Sequence, residues 1–98
     1  MHYLDELVNF KENELRSFKV DGNSVCAVNV NGTVKAFKNR CAHQNMPLHT
    51  GMIKDNWIVC SFHGWLFDMD SGECGVNPSC SLPIYKVNIK DEKVYIEF

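Results

Sequence analysis

Two Cys-His pairs, Cys41-Ala42-His43 and Cys60-Ser61-Phe62-His63, stand sixteen residues apart and constrain this chain more than any other feature. A fold that uses them must bring two short loops together, each offering a thiolate and an imidazole side by side. Four such donors imply a metal centre. They suit zinc or iron, whereas magnesium and calcium require carboxylate and carbonyl oxygens. A Cys/His nucleophile dyad is a further reading of the same residues, although no acyl-transfer motif accompanies them.

The rest of the sequence limits what can carry such a centre. With 98 residues the chain is expected to form one domain, 1–98. A domain of this size buries only roughly 60–65% of its unfolded surface, so part of its stability is expected from the metal. Ten basic and twelve acidic residues give a formal charge of −2, with no basic run able to neutralise a phosphate backbone. Nucleic acid is therefore not an expected partner. The N-terminal MHYLDELVNF has acids where a signal peptide needs a basic start, and no segment approaches the roughly 20 apolar residues of a membrane span. A cytoplasmic monomer without membrane attachment is expected. Cysteine usage agrees with a reducing compartment: if Cys41 and Cys60 bind metal, then Cys26, Cys74 and Cys80 are an odd set, and thiols are the expected state. Cys26, in Val25-Cys26-Ala27-Val28, reads as a small core hydrophobe.

Turn signals recur along the chain between segments rich in Val, Ile, Phe, Tyr and Thr, an all-β pattern. Strands are expected over 15–20, 24–30, 33–37, 56–60, 65–69, 85–89 and 94–98, with Asn31-Gly32 the strongest hairpin turn. Only residues 4–10 could hold a helical turn, and 75–83, with its prolines, reads as an irregular loop. Many short strands without a long helix favour a small antiparallel β-sandwich or barrel. Both Cys-His pairs then fall in loops, forming a metal-binding subdomain of two hairpin loops over approximately residues 38–83.

The strings CAHQNMPLHTG and CSFHGWLFDMDSGEC, their separation, and Leu82-Pro83 before the last two strands closely resemble Rieske-type iron–sulfur proteins. The resemblance spans the whole chain and is closest to Rieske ferredoxins and the Rieske domains of oxygenases. It implies one [2Fe–2S] cluster, with Cys41 and Cys60 on one iron and His43 and His63 on the other. A structural Cys₂His₂ zinc module remains the alternative, but zinc fingers group two Cys and then two His, whereas the types alternate here. The implied role is a one-electron carrier, passing electrons from a flavin-dependent ferredoxin reductase to a terminal oxygenase or similar redox enzyme. A small Rieske-like subunit of a nitrite reductase is a second expectation. No 2-His-1-carboxylate site for O₂ is visible, so the chain is expected to be a carrier and not an enzyme.

Where respiratory Rieske proteins carry a disulfide between the cluster loops, this chain has Met46 and Phe62. Where they place a Ser and a Tyr hydroxyl near cluster or ligand sulfur, it has Trp65 and Phe67. Without those donors a low reduction potential is expected, at about −150 mV. Met46, Pro47, Phe62 and Trp65 are expected to shield the centre, and His2 and His49 are expected at the surface.

Overall fold

The computed structural model describes residues 1–41, 46–61, 64–75 and 80–98. Among the described residues nine strands carry the fold: β1 (His2–Glu6), β2 (Arg16–Val20), β3 (Asn23–Val30), β4 (Thr33–Lys38), β5 (Met52–Lys54), β6 (Trp57–Val59), β7 (Leu66–Asp68), β8 (Ile84–Lys90) and β9 (Lys93–Glu97). Short 3₁₀ turns occupy Leu7–Asn9 and Leu48–Thr50. Six strands form one antiparallel sheet in the order β1-β9-β8-β4-β3-β2, which curls into a nearly closed barrel, and β5-β6-β7 form a separate three-stranded sheet. The all-β expectation holds, and the small sheet lies within the anticipated 38–83 segment. No described helix is long and apolar enough to cross a membrane.

Local chemistry explains the hairpins. Asn31 and Gly32 both have positive φ, 52° and 86°, the type I′ geometry whose twist matches the strands it joins. Val30 then faces Thr33, and the register continues to Val25 opposite Lys38. Asp91 and Glu92 turn β8 into β9 with the same sign of φ, 52° and 60°, although neither is a glycine.

β3 and β4 bear on two cores at once. Val25, Ala27, Val34 and Ala36 join Phe10, Val94 and Ile96 in one apolar cluster, whereas Cys26, Val28 and Phe37 join Ile58, Phe67, Leu48, Cys41 and Cys60 in another. Period-two alternation sends successive side chains to opposite faces. Because both faces of β3 are covered, Val25 to Val28 form an unbroken buried run. Cys26 behaves as the small hydrophobe expected, fully buried, with its thiol pushed up to about 12 by desolvation.

The barrel's edge strands are clasped by side chains. Arg16 on β2 pairs with Asp5 on β1 at 2.8 Å, and its guanidinium lies 4.9 Å and 4.8 Å from the ring centroids of Phe10 and Phe18. Asp5 also accepts from Asn9 Nδ2 at 3.0 Å and from the Glu6 amide at 2.7 Å. The bonds from Asn9, then Arg16, then Glu6 hold its carboxyl below the ordinary value. A lowered folded-state value means stability that is present above the unfolded-state value and is lost as pH falls through the folded-state one. Thermal midpoints are therefore expected to drop from about pH 4 downward, and Asp5→Asn is expected to flatten that slope. Parallel acid profiles for the two proteins would remove the clasp from the account.

Two expectations need correction. Residues 2–6 form a strand, paired with β9 through His2 opposite Ile96 and Tyr3 opposite Tyr95, so the helical turn expected within 4–10 is confined to Leu7–Asn9, and a second turn, Leu48–Thr50, lies where none was expected. Met52–Lys54, unassigned in the sequence, pairs with β6 as a short edge strand.

Candidate metal centre

The first loop leaves β4 at Lys38, whose amide donates to the Pro83 carbonyl at 3.0 Å. Asn39 follows, only 6% exposed although polar, and every polar atom of its side chain is engaged. Its Oδ1 accepts the His49 amide at 2.9 Å, and its Nδ2 lies 2.9 Å from His49 Nδ1, 3.1 Å from Ser24 Oγ and 3.2 Å from Ser17 Oγ. Asn39 thus joins the two ends of the first loop and fastens both to β2 and β3. His49 is accordingly half-buried and built into the loop base, not the surface histidine its sequence position suggested. His2 is half-buried too, 3.4 Å from Asp21 and 4.9 Å from the Phe98 ring centroid. An Asn39→Ala variant is expected to lose about 2 kcal/mol of stability, because the His49 amide and two seryl groups lose a buried partner. Urea unfolding measures this, and a midpoint within error of the parent would contradict the clamp.

The two Cys-bearing loops close in the same way. The Cys41 amide donates to the Met46 carbonyl at 2.7 Å, and the Cys60 amide donates to the Trp65 carbonyl at 2.8 Å. In each case the bond runs from the cysteine to the residue five positions on and encloses the segment containing the histidine. Cys41 and Cys60 are 0% and 1% exposed and belong to one apolar cluster, so the fold brings both predicted thiol ligands into the same water-poor surroundings. His43, His63 and Phe62 lie outside the described residues. Met46 and Trp65 are half-buried against the cluster that holds the cysteines, as shielding residues would be, and Phe67 is fully buried.

The loops are braced from behind. Leu48 is fully buried, the Gly51 amide returns to the Leu48 carbonyl at 2.9 Å, and Thr50 Oγ1 lies 3.4 Å from Ser61 Oγ, linking the end of the first loop to the second. A cleft of about 360 Å³ beside Cys60 is lined by Thr50, Gly51, Val59, Ser61, Gly64 and the exposed Met52. On the far side Asp68 caps the turn after β7, accepting the Asp70 and Ser71 amides at 2.8 and 3.1 Å, while Asp70 is held by Lys35 and by Asn56. These acids are thereby committed to structure. Of the residues that position the loops, sequence reading missed Asn39, whose partners Ser17 and Ser24 are distant in the chain. The only signal was a polar residue closing an apolar strand.

The donor chemistry suits a thiophilic metal group. Two buried thiols in symmetric loops, each one or two residues from an imidazole, supply the mixed donor set that iron–sulfur or zinc requires.

Comparison with known proteins is consistent with that chemistry. Residues 2–86 match the family described as Rieske [2Fe-2S] domain. The solved ferredoxin of Sphingomonas yanoikuyae B1 is 28% identical with a TM-score of 0.88, over 98% of this chain and 96% of that one. A chain in a complex of reduced oxygenase and oxidized ferredoxin in carbazole 1,9a-dioxygenase has the same fold, at 22% identity and a TM-score of 0.88, over 97% and 99% of the two chains. Human apoptosis-inducing factor 3 is 28% identical over 89 residues, which are 90% of this chain but 15% of that protein. The chain thus spans about a seventh of that curated relative.

Proposed function

Because this chain belongs to the Rieske [2Fe-2S] domain family, matched over residues 2–86, we propose that it is a one-electron carrier whose centre is held by Cys41, His43, Cys60 and His63. Cys41 and Cys60 serve one iron, and His43 and His63 the other. The observation that carries this reading is the placement of Cys41 and Cys60, both buried in one apolar cluster, in two loops closed by equivalent amide-to-carbonyl bonds. When bound, a [2Fe–2S] cluster supplies reversible one-electron redox chemistry.

The protein's own residues do the rest. Leu48, Ile58 and Phe67 keep water from the two thiolate positions, and Met46 and Trp65 extend that cover. Cys26, in the same cluster, has its thiol pushed up by burial and, unlike Cys41 and Cys60, has no histidine within three residues of it in the sequence. Trp65 and Phe67 present no hydroxyl to ligand sulfur, which favours a low potential of about −150 mV. No described group of three or more His, Cys, Asp or Glu forms another metal site, and substrate chemistry is not part of this reading.

The electron's route is a flavin-dependent ferredoxin reductase as donor and a terminal oxygenase as acceptor, in the cytoplasm and with the carrier monomeric. The likeness to a ferredoxin and to a chain in an oxygenase–ferredoxin complex supports this choice. The cleft next to Cys60, rimmed by Met52, offers the acceptor an apolar contact beside the second loop.

The decisive measurement is an absorption spectrum with low-temperature EPR after dithionite reduction, alongside iron and sulfide analysis. A red-brown protein with two iron and two sulfide per chain and a Rieske-type signal of low average g is expected. A colourless, EPR-silent protein containing one zinc would end this reading.

A further inference from the structure

The chain after β7 doubles back beside itself. The Leu82 amide donates to the Gly72 carbonyl at 2.8 Å, and Glu73 bridges Ser81 in antiparallel fashion. In antiparallel pairing one step forward on one arm is one step back on the other, so Cys74 and Cys80 are the next positions facing each other beyond this isolated bridge. Burial alternates to match. Gly72, Cys74 and Leu82 are buried, Glu73 and Ser81 are exposed, and Cys80 is half-buried against the same apolar cluster that contains Cys74. Both thiols therefore belong to the inward face of the ladder. Opposed residues in such a ladder have Cα atoms about 4.5–5.5 Å apart, within the roughly 4.4–6.8 Å that a disulfide spans.

We propose that Cys74 and Cys80 form a reversible cross-strand disulfide, made by exchange with a low-molecular-weight disulfide of the glutathione type. All five cysteines stand as thiols in this structure, which is the reduced state of the pair. Cys80, the more exposed of the two, reacts first: its thiolate attacks one sulfur of the small disulfide, that S–S bond breaks, and the departing thiolate takes up a proton. The Cys74 thiolate then attacks the Cys80 sulfur of the mixed disulfide and expels the second small thiol. Two protein thiols are oxidised by two electrons, and one small disulfide is reduced to two thiols.

The crosslink would act on the second metal-ligand loop. Asp68 donates its amide to the Glu73 carbonyl at 2.8 Å, and Gly75 donates to Leu66 at 2.9 Å, so the arm carrying Cys74 is already joined to β7, the strand that leaves the Cys60–Trp65 loop. Oxidation ties the Cys80 arm to that same strand. This inference goes beyond the electron-carrier reading and stands whether the centre is iron–sulfur or zinc.

The test uses the purified, metal-loaded protein in mixtures of reduced and oxidised glutathione, followed by acid quench, alkylation and cleavage after Glu73 and Glu92. Peptide 74–92 contains Cys74 and Cys80 and no other cysteine. Under excess glutathione disulfide more than half of it is expected to resist alkylation and to be lighter by the mass of two hydrogens. Dithiothreitol is expected to restore two alkylated sites, and Cys80→Ser to abolish the crosslink. Peptide doubly alkylated under oxidising conditions, a stable glutathione adduct on Cys80 beside an alkylated Cys74, or a crosslink to Cys60 would each overturn the proposal.

Discussion

A Cys41→Ala variant is expected to lose its iron, its sulfide and its visible absorption together, and to melt well below the parent. Cys41 is fully buried, its amide closes the first loop on Met46, and its side chain shares an apolar cluster with Cys60. Removing one thiolate from the proposed four-donor set leaves an open position at the metal. Binding of a structural metal group is itself folding free energy, on the order of 10 kcal/mol where it has been measured for zinc, so its loss exceeds any packing loss. Cys26→Ala provides the comparison, because it makes the same change in the same cluster. That variant is expected to lose only about 1 kcal/mol, the ordinary result of a small cavity, and to keep full colour. Iron and sulfide per chain, the reduced-state EPR signal and a thermal melt read the two variants side by side. Equal iron content in both would remove Cys41 from the ligand set.

That contrast also shows which features the sequence made legible. Ligand types at fixed short spacing are local, and so are Asn-Gly turns: the two Cys-His loops and the β3–β4 hairpin could be read because each is specified within a few residues. β1 was harder. Leu4, together with Leu7, Val8 and Phe10 beyond the strand, has a helix-like spacing, and what makes residues 2–6 a strand is pairing with β9 at the other end of the chain. β5 has only Ile53 turned toward the core, too little for a periodic signal. Asn39 gains its role from Ser17, Ser24 and His49, residues ten or more positions away that only the fold brings beside it. The candidate thiol donors Cys41 and Cys60 were therefore accessible from the chain alone, whereas the residues that fix the loops in place depend on contacts across it.

Gly51 makes such a contact beside the metal-binding loops, and Gly51→Ala is expected to be among the most damaging small substitutions in the protein. A Cβ there would stand 2.1 Å from the Val59 carbonyl oxygen and 3.1 Å from its carbon, with Leu48 O at 3.2 Å. All three atoms are backbone, so no side chain can rotate aside. Relief requires β5 and β6 to part where Met52 faces Val59, one residue before Cys60, which carries the disturbance straight into the second loop. We expect a loss of about 3 kcal/mol, a large share of the 5–15 kcal/mol that holds a domain together, and a melting temperature lower by roughly 12–24 °C, with reduced iron content. Gly64→Ala separates this clash from glycine strain in general. Gly64 also sits in the second Cys-bearing loop, with φ of +65°, but among the described residues nothing lies within 4 Å of its missing Cβ. Only the left-handed backbone penalty of about 1 kcal/mol applies there. If Gly51→Ala melts no lower than Gly64→Ala, the close approach of the first loop's end to β6 does not hold the second loop in place.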